Sequence, residues 1–330
     1  MQTIFFENQP RIIATGTIAG PKECAGVVGK HVDKTLSDDT FGESTYEKAE
    51  CKMLSYAISR AIENAGEREE NVDMLISGDL LNQIISASFA ARDFEFPFLG
   101  VYGACSTMAE SLGLGASLIN AGYVKRVVAA TGSHFSSAER QYRYPLELGN
   151  TRPPQSQWTV TGAGATFLAE RGGRVAITSA TFGKVVDFGV TDVNNMGAAM
   201  APAAADTLLR FLKDTGTQPD DYDFIATGDL GSEGSALFKM MMAQEGQKIG
   251  DNHFDCGLLI YDMETQDVHA GGSGCGCSAS VLCSHILGGM EQGRWKNGLF
   301  MATGAMMSPT SSQQGESIPG IAHLIHLQCD

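Results

Sequence analysis

Residues 73–80 read Asp-Met-Leu-Ile-Ser-Gly-Asp-Leu, and residues 223–230 read Asp-Phe-Ile-Ala-Thr-Gly-Asp-Leu. The register holds back to Gly66 and Gly216, each past a helical pattern where a terminating glycine is expected. A second pair lies downstream. Cys105-Ser106 opens a helical stretch that leads to Ala130-Thr131-Gly132, and Cys277-Ser278 opens one that leads to Ala302-Thr303-Gly304. A weaker third pair sets Ile13-Ala-Thr-Gly-Thr17 beside Ile177-Thr-Ser-Ala-Thr181. Three pairs in one order imply a duplicated domain. The second copy is the longer between its paired segments, chiefly across 231–255.

Each copy reads in the same way. A β-branched run (11–17 or 174–183) precedes a long helix (46–65 or 197–214). A short apolar strand then ends in Gly-Asp. Another strand follows (98–103 or 256–261), then a helix from the Cys-Ser, then a strand into Ala-Thr-Gly. Alternating strands and helices imply parallel sheets covered on both faces. The boundary falls near 171–174, giving halves of 1–172 and 173–330. Residues 306–317 read as a polar loop before a last strand at 320–328.

Charge narrows the function. There are 23 Lys+Arg against 38 Asp+Glu, a formal net of −15. That excludes a nucleic-acid binder, which needs a basic surface, and a direct electrostatic hold on anionic lipid. No apolar run is long enough to span a bilayer. The first residues have no basic stretch, so no secretory signal is read, and the eight cysteines are expected to be reduced thiols in an intracellular compartment. Cys275, Cys277, Cys283 and His285 cluster, but their spacing fits no standard zinc pattern, and a nucleotide-binding Gly-Lys-Ser/Thr loop is lacking. No metal or cofactor is expected.

Cys105 falls where a strand hands over to a helix. There the helix dipole favours a thiolate, although a small residue in a crowded turn would read the same. A duplicated α/β half with a cysteine at this junction, Gly103-Ala-Cys105-Ser106, together with Gly162-Ala-Gly164-Ala, resembles the thiolase-like condensing enzymes over nearly the whole chain. The resemblance implies a thiolase-like duplicated αβαβα layered fold and a homodimer. More narrowly, Ala19-Gly-Pro-Lys-Glu23, Gly78-Asp-Leu-Leu-Asn-Gln83, Ala270-Gly-Gly-Ser-Gly-Cys275 and Ser317-Ile-Pro-Gly-Ile-Ala-His323 resemble thiolase-fold stage V sporulation proteins of spore-forming bacteria.

In the condensing enzymes the cysteine works with two polar partners, a His-His or His-Asn pair. Aligned on this chain, the first place falls at Gly228 and the second at or near Ser273. Neither is a base, so the nucleophile template is incomplete and Cys105 stands as a vestigial nucleophile position. Glycine at 228 is expected to leave room where an imidazole would sit. His134 follows a strand end and points either into the pocket or into the structure. His269 is expected at the surface, and His323 and His326 in structural places.

The narrower resemblance implies a ligand, dipicolinic acid (pyridine-2,6-dicarboxylate), with or without calcium. It also implies a site peripheral to the spore inner membrane, reached through membrane proteins of the same sporulation stage. A flat aromatic dianion needs local donors in so acidic a protein. Helix starts at Ser106–Met108 and Ser278–Ser280 would offer N–H groups, and Arg140 and Arg143 would offer bidentate pairing, with Tyr142 and Tyr144 to stack. The expected ligand-binding set is therefore Cys105, Ser106, His134, Arg140, Arg143, Gly228 and Ser273. Two other functions stay open: an acyl-transferring enzyme using Cys105, and a structural subunit without ligand.

Overall fold

A computed structural model describes residues 2–142 and 151–330. The ten main strands run β1 (Arg11–Ala19), β2 (Met74–Gly78), β3 (Phe98–Gly100), β4 (Arg126–Ser133), β5 (Gly162–Ala169), β6 (Val175–Phe182), β7 (Phe224–Thr227), β8 (His253–Asp255), β9 (Asn297–Ala305) and β10 (Gly320–Cys329). Their hydrogen-bonded order is β8-β7-β9-β10-β6-β1-β5-β4-β2-β3. Read inward from its two ends, that order is the same list with five added to each label. β1 and β6 meet in the middle through Arg11–Ala176 and Ile12–Val175 alone.

The sheet is mixed, which corrects the all-parallel expectation. β2 pairs parallel with β3 and β4, and β7 with β8 and β9. β5 and β10 then run antiparallel to both neighbours. The reason is connectivity: between β9 and β10 lies only a single helical turn, Pro309–Gln313, too short to carry the chain back to a parallel start, so the last strand comes back reversed.

Alternation along the strands builds the layers. Ile76, Val127 and Ala129 join one large core with Phe224, Ala226, Phe300 and Ala302 of the other half. Leu75, Val128 and Ala130 face the opposite way, onto helix α1 (Tyr46–Asn64). Ile225, Leu299 and Met301 likewise face helix α4 (Met196–Thr215). Two helices fill the middle layer: α2 (Thr107–Asn120), and α5 (Cys275–Val281), which continues through a π turn at Leu282–Ile286. α3 (Phe135–Tyr142) lies near the site.

Local chemistry sets the helix ends. Thr45 caps α1 by accepting from Lys48 N at 3.3 Å, and Gly66 follows it at φ +68°. Asn195 caps α4 by accepting from Ala198 N at 3.1 Å, and Gly216 closes it at φ +71°. The middle helix crosses β5 closely. A Cβ at Gly164 would come within 2.6 Å of Ala279 O, and one at Gly276 within 2.5 Å of Gly162 O.

Two segments differ from expectation. Residues 256–261 are not a strand: β8 ends at Asp255, and Cys256–Leu259 form a helical turn. A short wholly apolar run fits either state, and here Asp255 turns away to accept from Leu230 N and Gly231 N. The polar 306–317 segment contains one helical turn, Pro309–Gln313, capped where Ser308 Oγ accepts from Ser311 N at 3.0 Å.

Candidate functional site around Cys105

Cys105 sits in a 3-10 turn, Ala104–Ser106, that leads into α2. The turn is tight: Ala104 has φ +50°, in the left-handed region that residues with a Cβ seldom occupy. β9 forces the crowding, because a Cβ at Gly304 would lie 2.3 Å from Gly103 O. The turn aims the thiol into a small cavity of about 50 Å³ walled by Leu80, Tyr102, Tyr142, Met196, Ser273 and Met307 among others. Among the described residues, no Lys, Arg or His lines this cavity.

The inner end is acidic. Cys105 Sγ lies 4.0 Å from Ser273 Oγ, and Ser273 donates to Asp229 Oδ2 at 2.9 Å. Asp229 is fully buried at the end of β7 and also accepts from Gly274 N at 2.9 Å and Thr303 Oγ1 at 2.8 Å. Ser273 Oγ thus stands between the Asp229 carboxylate and the Cys105 thiol. Burial, reinforced by the Asp229 carboxylate, holds the Cys105 thiol well above its ordinary range. The expectation of a dipole-favoured thiolate is thereby reversed: desolvation and a neighbouring acid outweigh one helix terminus.

The mouth is aromatic. Tyr102 and Tyr142 join through their hydroxyls at 3.1 Å, and Tyr142 OH donates to Leu80 O. Beyond them opens a second cleft of about 590 Å³, sharing Tyr102, Tyr142 and Met307 and bordered by Asn82, Gln83, Ser308 and Ser311. Beneath the site, Trp158–Thr159 pairs in parallel with Gly272–Ser273 and so fixes the Ser273 loop. Trp158 stacks on Phe135 at 3.8 Å between centroids, and Lys22 Nζ lies 3.5 Å over its ring.

The expected site residues divide. Cys105 and Ser273 meet as anticipated. Ser106 is turned inward, with its hydroxyl on Gly103 O at 2.6 Å. His134 is fully buried, its Nε2 2.7 Å from Asp39 O and its Nδ1 accepting from Ser136 N at 3.1 Å, and burial lowers its pKa. It holds the start of α3 in place. Arg140 points outward to Glu47. Arg143 and Tyr144 lie outside the described residues.

Gly228 is corrected: there is no room for a ring, because a Cβ would stand 2.9 Å from Thr303 N and 3.0 Å from Ala302 Cα. Ser278–Ser280 offer no helix start either, since α5 begins at Cys275 and buries all three residues. Cys275, Cys277 and Cys283 donate to three different carbonyls, of Gly132, Gly228 and Ala165. His323 and His326 are held by Gly183 N and by Thr178 and Asn297, and His269 pairs with Asp267.

A family model for Stage V sporulation protein AD (SpoVAD) matches residues 1–328. The chain belongs to the stage V sporulation protein AD family. It is 45% identical to Stage V sporulation protein AD of Bacillus subtilis (strain 168) over 322 residues, 98% of this chain and 95% of that one. Its fold is that of the condensing enzymes. 3-Oxoacyl-(acyl carrier protein) synthase III of Pseudomonas aeruginosa PAO1 superposes with a TM-score of 0.60 at 14% identity, covering 97% of this chain and 98% of its own. OleA of Xanthomonas campestris gives 0.62 at 11%, covering 98% and 99%.

In this SpoVAD-family chain, then, a tight elbow before α2 carries Cys105, and the Asp229 carboxylate lies behind Ser273 at the strand end where the resemblance implies an imidazole. Asp229 is the residue that sequence reasoning missed. The signal was present, since Gly-Asp recurs at 78–79 and 228–229. The carboxylate stands one residue beyond the glycine of that pair.

Proposed function

We propose that this chain is a non-catalytic binder of dipicolinic acid that supports its uptake into the developing spore alongside membrane proteins. Membership of the sporulation family supports the setting. The observation that carries the non-catalytic reading is the inner end of the cavity. Cys105 faces Ser273, whose hydroxyl is committed to Asp229, and among the described residues lining the cavity there is no imidazole to take the thiol proton and no cation to steady an oxyanion. For the ligand, the Tyr102 and Tyr142 rings at the mouth suit a flat aromatic. Its two carboxylates face outward, toward Asn82, Gln83, Ser308 and Ser311 of the larger cleft, because the inner end is already acidic. Among the described residues, no helix is long and apolar enough to cross a membrane, so the proposed place at the spore inner membrane rests on protein partners.

Calorimetric titration with dipicolinate, with and without calcium, tests the proposal. The parent binds, and Tyr102→Ala weakens binding roughly three- to tenfold through loss of stacking. Incubation with acyl-CoA followed by intact mass separates the enzyme reading, since a thioester on Cys105 would support acyl transfer instead. A parent that neither binds dipicolinate nor takes up acyl groups is a structural subunit.

A further inference from the structure

The repeat gives two aspartates one origin and two occupations. In the first half, Asp79 serves the turn after β2: its carboxylate accepts from Leu81 N and Ala87 N, both at 2.7 Å. In the second half the equivalent turn is served from the neighbouring strand. Asp255 accepts from Leu230 N at 2.9 Å, Gly231 N at 3.0 Å and Thr227 Oγ1 at 2.6 Å. Asp229 is therefore released from its own turn. Thr303, Gly274 and Ser273 hold its carboxylate, and Ser273 Oγ links it to Cys105 Sγ at the cavity end.

We propose that Asp229 is a positioning residue that keeps Cys105 a neutral, hydrogen-bond-donating thiol, so that the elbow serves recognition and not attack. This gives a cause for the non-catalytic reading above without depending on which ligand binds. The surroundings agree in sign. The titratable groups facing the thiol are Asp229 from the end of β7, Cys275 and Cys277 from α5, Tyr102 from the segment before the elbow and Tyr142 from α3, and Glu139 lines the same cavity. Each of these ionises to an anion, and an anion beside a thiol opposes a thiolate. Ser273, whose hydroxyl is committed to Asp229, completes a ring of polar atoms that, among the described residues, leaves the cavity end with no cationic partner.

Iodoacetamide measures this, because only the thiolate attacks: the C–S bond forms as the C–I bond breaks, iodide leaves with the electron pair, and the thiol proton goes to solvent. The rate is followed at Cys105 by peptide mapping across pH, since the chain has seven other free cysteines. Asp229→Asn is expected to move the midpoint of the pH–rate profile down and to raise the Cys105 rate at pH 8 by about tenfold, the equivalent of one pKa unit. A slower or unchanged rate in a variant that melts like the parent overturns the proposal. So does a uniformly faster rate with an unmoved midpoint, which would mean that the mutation merely opens the cavity. If Asp229→Asn melts early, Thr303→Val removes one bond that aims the carboxylate; a smaller shift in the same direction supports the proposal, and none overturns it.

Discussion

At Gly228 a side chain has nowhere to go, and that decides what a histidine there would do. Its Cβ would press on backbone atoms of Thr303 and Ala302, which cannot swing aside as a side chain does. Gly228→His is expected to lower stability by about 1–3 kcal/mol in a denaturant titration, through overpacking against β9. An unchanged midpoint would show that β9 yields. Glu110 makes a second case at this scale. It sits one turn into α2 with Oε2 buried and, among the described residues, without a hydrogen-bond partner, and burial lifts its carboxyl from 4.5 to about 7. The native state therefore holds a proton that the unfolded chain has released between those two values. Stability contributed by this group falls as pH rises from 4.5 through 7. Glu110→Gln should gain on the parent at pH 8, on the order of 1–3 kcal/mol, and gain little at pH 4. Equal differences at both pH values would count against the assignment.

The elbow before α2 is strained because an alanine occupies its left-handed position. Ala104→Gly is expected to hold or raise the melting temperature, since the ~1–2 kcal/mol cost of a left-handed residue with a Cβ is relieved. Ala104→Val should lower it markedly, because a branched Cβ tolerates that conformation least. The contrast can be read in one pair of melts. Elements of this kind were legible in the sequence when two copies carried the same signal. β2 and β7, α1 and α4, and both helices that carry the cysteines follow from the repeat. Cys256–Leu259 did not, because a run of small and apolar residues has no period to separate strand from turn. Cys105 and Ser273 were legible as a pair. Asp229 was not, because a buried carboxylate carries no local mark; its meaning depends on Asp255, which reaches the same turn from another strand.

Across the whole molecule the two halves share their interior. The central core takes Met108 and Leu112 from one half and Phe224, Ala279 and Ile325 from the other, while β1 and β6 pair over only two residues. Residues 1–172 or 173–330 expressed alone would expose that layer to water. Each is expected to lack a cooperative melt, and a half that unfolds in one sharp transition would contradict this. Net charge acts at the same scale. A formal −15 is self-repelling, so raising salt to about 0.15 M, where the screening length is ~8 Å, should raise the melting temperature.

The stack under the Ser273 loop has an optical consequence. The chain holds two tryptophans, and one of them, Trp158, lies flat on Phe135 beneath an ammonium group while its strand grips Gly272 and Ser273. The other, Trp295, sits apart, against Phe224 and Phe254. Trp295→Phe would thus leave a single indole whose emission follows the loop that closes the Cys105 cavity. The fold carries its own fluorophore at the place where occupancy would first be felt.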